Sequence, residues 1–496
     1  MSALSWLLFT PLFGGIIVYL FGRNRETDKS VKWLAFIISL VPLLLNLALL
    51  AGFDWSAAEM QFYEEHTWIK TFGVGYALGV DGLSMPMVLL TTILTSLTIL
   101  MSFDEHKNTK TYMTLLLMME TGLIGVFISL DFFLFYLFWE LTLIPMFFLI
   151  MEWGGPRRRY ASLKFFIYTH IASLLMLIAI ISMVFVAHSQ LGYYTFNILE
   201  ITDEVSFASS FQYVVFLLLF IGFAVKMPVV PFHTWLPDAH VEAPTGGSVI
   251  LAGVMLKMGC YGLIRIGFTM MPDAVVKFAL PMAILGVISM VYGAFLALAQ
   301  DDLKKMIAYS SVSHMGSVLL GLAVLNEYGF DGAMFQMFAH GIISAMMFMA
   351  CGMLQHSVGT RRISQLGGVA NRLPILAAFT VFSFLASLGL PGLAGFIPEL
   401  NVFLGAFKVM PAVALVAMVS MIITAAYYLW ALQRAYFGPY NERLEEAKPH
   451  DVRWFQAVPL GVLVVLILVF GVYPAPIMDM IHTSSSYILS IIGGVL

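Results

Sequence analysis

At ordinary domain sizes a chain of 496 residues would fold as about three soluble domains. The composition excludes this: 60% of the residues are hydrophobic and 11% are Asp, Glu, Lys or Arg, against roughly 25% charged in a soluble protein. Lipid is therefore the solvent for most of the chain, and a dispersed net charge of −4 argues against a nucleic-acid partner.

Apolar runs long enough to cross a bilayer, about 17–25 residues, predict fourteen membrane helices. They lie at about 3–21, 32–52, 82–102, 112–129, 132–151, 161–187, 211–226, 246–268, 276–299, 306–325, 333–355, 373–405, 411–432 and 456–480. The first run has no basic leader or small-residue cleavage site and reads as a retained helix. The longest connection, about 53–80, is acidic and too short for a soluble catalytic domain. No GxxxxGK[ST] loop or GxGxxG turn offers a nucleotide site. Cys260 and Cys351 lie far apart in apolar runs and cannot by themselves ligate a cluster or a structural zinc.

Cytoplasmic loops hold the excess of Lys and Arg. Alternating the loops places nineteen on one side, from Arg23 and Arg25 to Arg453, and four on the other: Lys70, Arg265, Lys277 and Lys408. Lys226 and Lys257 remain inside the membrane, which accounts for all 25. Both termini are thus expected outside the cytoplasm.

An ionisable group at the bilayer centre is costly and by default functional. At 1.5 Å rise per residue, Glu120, Glu140, Lys257, His314 and His340 each lie about 14 Å from the nearest boundary, half of a ~30 Å hydrocarbon core. Lys226 and Glu399 join them on interrupted helices. A row parallel to the membrane plane follows, which a single pore would not need. Each member has a plainer reading: hydrogen-bonded core histidines for His314, His340 and the shallower His170, and a static packing pair for Glu140 and Lys226. Glu120 would then pair with a basic neighbour. His188, His233 and His240 lack the HExxH-type metal spacing and read as structural, and the Met-rich stretches as adaptable core filler.

A buried lysine can release a proton near neutrality, whereas arginine cannot. At ~6 Å and an effective dielectric near 20, a carboxylate attracts it by about 2.8 kcal/mol. Moving Glu140 toward or away from Lys226 would switch the lysine between holding and donating its proton.

Two helices are interrupted, the seventh by Pro228 and Pro231 and the twelfth by Pro391 and Pro398. Proline removes a backbone donor and frees carbonyls that lipid cannot satisfy. Paired broken spans in corresponding halves point to a transport site. Glu140 and Lys226, like His314 and Glu399, bracket similar intervals that end at a break. With five spans between the members, an inverted repeat is expected. The fold expected is an all-α integral membrane protein of about 14 transmembrane helices with two inverted five-helix repeats, each containing one broken helix. Residues 1–111 would form helices 1–3, 112–270 and 271–435 the two repeats, and 436–496 the C-terminal helix.

Five segments carry a resemblance: FWELTLIPM (138–146), WGGPRRRYASLKFF (153–166), AVKMPVVPFHTWLPDAHVEAPTGGSVILAGVMLKMGCYG (224–262), DDLKKMIAYSSVSHMG (301–316) and GFIPEL (395–400). The chain resembles the antiporter-like membrane subunits of proton-translocating NADH:quinone oxidoreductase, respiratory complex I, and within them the subunit M (mitochondrial chain 4) branch. The resemblance implies a proton pump with Glu140 and Lys226 as its ion pair and Lys257 as its central carrier. His314 and His340 would be relays, Glu399 the exit-side carrier and Glu120 an accessory. It implies no cofactor or metal in this chain, with NAD, FMN, iron–sulfur clusters and quinone in partner subunits. Two related antiporter-like subunits and lipids would be its neighbours, in a bacterial inner membrane, and the chain would not form a homo-oligomer. The alternative is a subunit of a multisubunit Na⁺/H⁺ antiporter, whose chains usually carry lysine where Glu399 stands. A third reading is a scaffold whose charges only lock packing.

Overall fold

The computed structural model describes residues 2–21 and 28–494, so Arg23 and Arg25 lie outside the described residues. Among the described residues, thirteen helices are long and apolar enough to cross a membrane. In chain order the first seven are α1 (Ala3–Phe21), α2 (Asp28–Ala51), α3 (Ser84–Met101), α4 (Thr109–Ile128), α5 (Phe132–Trp153), α6 (Arg158–Leu191) and α8 (Ser209–Lys226), with the short α7 (Ile198–Glu204) between the last two. After α9 (Trp235–Glu242), the eighth span combines α10 (Thr245–Ile250) and α11 (Leu256–Gly262) with two π-helical stretches. Then come α12 (Pro272–Leu298), α13 (Leu303–Ala323) and α14 (Glu327–Val358). The span expected over 373–405 is split into α15 (Pro374–Ser387) and α16 (Phe396–Val409), and α17 (Pro411–Ala435) and α18 (Trp454–Val472) complete the set.

These thirteen and the split span of α15 and α16 account for the fourteen expected. Two run longer than their apolar cores: α6 has 34 residues and α14 has 32. At 1.5 Å per residue each is about 50 Å long and projects beyond the hydrocarbon. The last expected span, 456–480, is too long. The helix stops at Val472, because Pro474 disfavours helical geometry in the residue before it. A separate helix α19 (Ala475–Gly493) follows, and its Asp479, His482 and four serines make it too polar to count as a span.

The connection over 53–80 folds as an antiparallel hairpin of β1 (Gln61–Ile69) and β2 (Val74–Val80). Asp131 ties it to the bundle: one carboxylate oxygen accepts from Gly75 N at 2.8 Å while the other caps α5 at Phe133 N and Leu134 N. The centre of the bundle is the eighth span, in which every residue from 246 to 268 is buried. Helices α3 and α14 pack against it and α13 packs on α14, all three buried over most of their length. α12 and α13 cross at backbone contact, since a Cβ on Gly286 would lie 2.9 Å from Gly316 O.

α19 is fastened to α14 at Asp331, which accepts from His482 Nδ1 at 2.8 Å and from the Ser485 hydroxyl. The hydrogen bond to Asp331 raises the His482 pKa above its ordinary value. A raised histidine pKa stabilises the docked helix fully below the unfolded value of about 6.5 and loses that contribution as pH rises through the folded value. Amide-exchange protection over residues 475–493 in the detergent-solubilised protein is therefore expected to be higher at pH 6 than at pH 8.5. His482→Ala should flatten that difference.

A candidate proton-transfer site

The first break follows Lys226. Pro228 and Pro231 bring no amide donors, yet the carbonyls freed are satisfied: Val229 N donates to Ala224 O and Trp235 Nε1 to Val225 O, both at 2.9 Å. Lys226 is buried, and its Nζ has no hydrogen-bond partner. It stands 5.8 Å from the ring centre of Trp139 and 5.5 Å from that of Phe165, within cation–π range. Gly259 lets the eighth span close on this break, because a Cβ there would meet Phe223 O at 2.6 Å and Met227 N at 2.8 Å.

The eighth span winds as π-helix over Leu251–Met255, as α-helix through Lys257, and as π-helix again over Leu263–Phe268. A π-turn rotates the residues that follow it and leaves local carbonyls free. Lys257 Nζ uses one, donating to Ala252 O at 2.5 Å, and also meets His340 Nδ1 at 2.8 Å. With Lys257 as donor, His340 Nδ1 accepts and its Nε2–H donates to Ser311 Oγ at 3.2 Å. The His340 ring lies 5.5 Å, centre to centre, from that of His314. His314 Nδ1 is 3.1 Å from Glu399 Oε1, and its Nε2 is 3.2 Å from Ser387 Oγ. Ser387 in turn joins Tyr428 at 2.8 Å.

The second break makes the Glu399 end. α15 stops at Ser387 and α16 restarts at Phe396, which places Glu399 in the first turn of α16, where the helix dipole favours a carboxylate. Gly389, in the left-handed region at φ 82, lies beneath it; a Cβ there would be 3.0 Å from Glu399 Oε2. Any side chain at 389 would be strained and would crowd the acid.

Of the six residues expected to carry protons, four therefore meet in one polar chain through three helices and the restart of a fourth: Lys257, His340, His314 and Glu399. No hydrogen bond or contact within 4 Å joins Glu140 to Lys226, although the Glu140 charge lies within electrostatic reach of the lysine. The Glu140 carboxylate meets His170 Nδ1 at 3.1 Å and the Ser173 hydroxyl on α6. Trp139, one residue earlier on α5, is the side chain that faces Lys226; a step of one residue turns the helix by about 100°, so Glu140 points elsewhere. Glu120 is buried with neither oxygen hydrogen-bonded, so the basic partner expected for it is not in contact.

Sequence reading gave His170 a minor place and passed over Ser173, Ser311, Ser387, Gln336 and Tyr428, because a hydroxyl or amide in an apolar helix carries no signal of depth or direction. It also counted Arg265 as a loop cation. Arg265 is buried, and its Nη2 lies 2.6 Å from both oxygens of Asp81; the partners are 184 residues apart, with no local pattern to link them. Among the described residues no group of three His, Cys, Asp or Glu side chains is placed to hold a metal ion.

A bundle with two broken spans and a row of acids and bases between them defines a class of membrane ion-translocating chains. The family described as NADH:quinone oxidoreductase/Mrp antiporter, TM, matches residues 129–424, and the chain belongs to it. Residues 29–126 match the amino-terminal family of NADH-ubiquinone oxidoreductase chain 4, which narrows the membership to the subunit M branch. The chain is 43% identical to F(420)H(2) dehydrogenase subunit M of Methanosarcina mazei, over 99% of this chain and 98% of that one. It is 42% identical to NADH-quinone oxidoreductase subunit M of Rhodobacter capsulatus, over 98% and 96%. Among solved structures, a chain of respiratory complex I from Thermus thermophilus superposes with a TM-score of 0.90 at 28% identity, covering 99% of this chain and all of that one. A chain of the Mrp complex from Dietzia shares the fold, with a TM-score of 0.85 at 21% identity over 99% of both.

The Asp81–Arg265 pair yields a prediction. Removing one partner of a buried ion pair strands the other charge, typically at about 3–5 kcal/mol. Asp81→Asn should lower the amount of subunit accumulating in membranes and its thermal stability. Asp81→Leu combined with Arg265→Met should recover much of the loss, both read by quantitative blotting and melting in detergent.

Proposed function

We propose that this chain is the proton-translocating membrane subunit of an NADH:quinone oxidoreductase, moving protons from the cytoplasm to the outside. The observation that carries the reading is the row of hydrogen-bonded pairs, Lys257–His340–Ser311 and His314–Glu399, brought together where the His340 and His314 rings lie 5.5 Å apart, with all but the part-buried Glu399 buried in the bundle. Protons would pass between Lys257 and Glu399 along it. Lys226, with no hydrogen-bond partner, would be the switchable lysine. The Glu140–His170 pair would be where a neighbour's charge is felt, and Glu120 an accessory site.

The chain's own residues provide proton binding and release. NAD, FMN, iron–sulfur clusters and quinone would sit in partner subunits, which also supply the energy. The relatives fit this division: a subunit 43% identical belongs to a dehydrogenase named for F(420)H(2), so the electron donor is a property of the partners. The Glu140 and His170 side chains are 24% and 40% exposed on the flank of the bundle. Charged groups at mid-bilayer depth do not face lipid, which supports neighbouring antiporter-like subunits over a lone chain or a homo-oligomer, with lipid on the remaining apolar flanks. The two inverted repeats, 112–270 and 271–435, follow from the same reading, each closing on a broken helix. So does an inner-membrane location with both termini on the outer side.

The central test is Lys257→Ala in the assembled complex. Donor-driven proton pumping should fall at least tenfold with assembly intact, and coupled turnover at the wild-type rate would overturn the reading. Glu140→Gln should also cripple pumping; full activity would return that residue to a packing role. Sodium-dependent exchange in the absence of any electron donor would favour the antiporter alternative.

A further inference from the structure

A cavity of about 580 Å³ lies at the face of the bundle away from the Lys- and Arg-rich loops and has no part in the row from Lys257 to Glu399. Its walls come from the segment leading into β1, from α7 and α19, and from the ends of α3 and the eighth span that meet at Asp81 and Arg265. The lining is largely apolar, through Met60, Ile198, Leu199, Tyr487 and Ile488, with a few polar groups that converge on it. Size and lining are those of a site for a small ligand.

Two of the polar groups are buried at its base. Arg265 turns Nη2 onto Asp81 and Nε onto the Tyr261 hydroxyl at 3.2 Å, which leaves the hydrogens of Nη1 for a ligand. Ser484 of α19 is buried, and its hydroxyl has no hydrogen-bond partner, a state that costs free energy unless something completes it. Two more stand at the mouth: Glu59 and Asp203 are exposed, and among the described residues neither carboxylate is tied into an ion pair. The depth is that of lipid headgroups. Arg265 is three residues, about 5 Å, from the end of the eighth span at Phe268, and Trp55, Tyr63, Trp68 and Tyr487 are exposed around the hairpin and α19, the residue types that gather at a membrane–water boundary.

We propose that this cavity holds a phospholipid with a primary-ammonium headgroup, its phosphate toward Arg265 Nη1 and the Ser484 hydroxyl, its ammonium between Glu59 and Asp203, and its acyl chains leaving over Ile198, Leu199 and Ile488. Charge complementarity selects this class. Asp81 already neutralises Arg265, so the lining offers free N–H and O–H donors at the base and two unpaired carboxylates at the mouth. An anionic headgroup would bring its charge up to those carboxylates with nothing to offset them, and a simple amine would leave the donors at the base unused. A primary ammonium donates three hydrogen bonds, charge-assisted when the acceptor is a carboxylate, whereas a quaternary ammonium donates none. The proposal is independent of the pump reading.

The test uses the purified assembled complex, stripped of lipid in detergent and titrated with dioctanoyl phosphatidylethanolamine or dioctanoyl phosphatidylcholine. Amide exchange over residues 198–204 and 475–493, the two helices that wall the cavity, is expected to slow about fivefold with the ethanolamine lipid and to stay unchanged with the choline lipid. Glu59→Gln combined with Asp203→Asn, both at exposed positions, should abolish the slowing. Thr202→Trp, which narrows the cavity without altering a charge, should abolish it as well. Equal slowing by the two lipids, slowing that survives in the double variant, or none with either lipid would overturn the proposal. The same slowing by phosphoethanolamine, which has no acyl chains, would overturn a lipid as the occupant and assign the cavity to a soluble zwitterion.

Discussion

The fold depends on one constraint: inside a bilayer no water is available to satisfy the backbone, so every carbonyl and amide freed by a helix break must find a partner within the protein. This chain breaks two helices in mid-membrane, and both breaks are sealed. After Lys226 the freed carbonyls are taken by Val229 N and the Trp235 indole. After Ser387 the chain returns through Gly389 and Gly392, both in the left-handed region, and Ala394 N donates to Ile467 O of α18. What the breaks gain is a helix end at mid-depth. Lys226 terminates one helix and Glu399 starts another, so each charge sits where the macrodipole of its own helix is unfavourable to its neutral partner state and favourable to the ion.

Much of this was legible in the sequence. Span number, the two interruptions and the depth of each buried charge follow from hydropathy, proline and a fixed rise per residue. Depth is an axial coordinate. Pairing needs a second one, the rotation of each helix about its own axis, and a uniformly apolar helix carries almost no record of it. That is why the axial estimate brings Lys257, His340 and His314 to one depth but does not show that the Glu140 carboxylate hydrogen-bonds His170. In the eighth span the rotation is further altered by two π-helical stretches, which no residue in LAGVM or LIRIGF announces. The hairpin of 61–80 and the separate α19 were missed for a different reason: hydropathy over long windows blurs short amphipathic elements into loops or into the neighbouring span.

The polar residues that complete the row are small and uncharged. Ser311 and Ser387 cost little to bury when hydrogen-bonded, so they leave the chain's composition and charge pattern unaltered, yet they set which nitrogen of His340 and His314 faces which neighbour. Ser311 accepting from His340 Nε2 frees Nδ1 for Lys257, and Ser387 meeting His314 Nε2 turns Nδ1 toward Glu399. The two imidazoles are thereby oriented in opposite senses along the row, one reading the lysine and the other the acid.

In a row of this kind the coupling between neighbours is set by distance and dielectric. Two charges 5.5 Å apart, the separation of the His314 and His340 ring centres, interact by about 3 kcal/mol at an effective dielectric near 20. Moving one proton against 100 mV requires about 2.3 kcal/mol. Protonating one histidine therefore changes the proton affinity of the next by as much as the membrane potential opposes its release. A charge change at one member of the row from Lys257 to Glu399 would then be felt by the next without any large movement of the helices, and the close-packed, glycine-lined contacts of α11 with α8 and of α12 with α13 hold the helices that carry the row at short spacing.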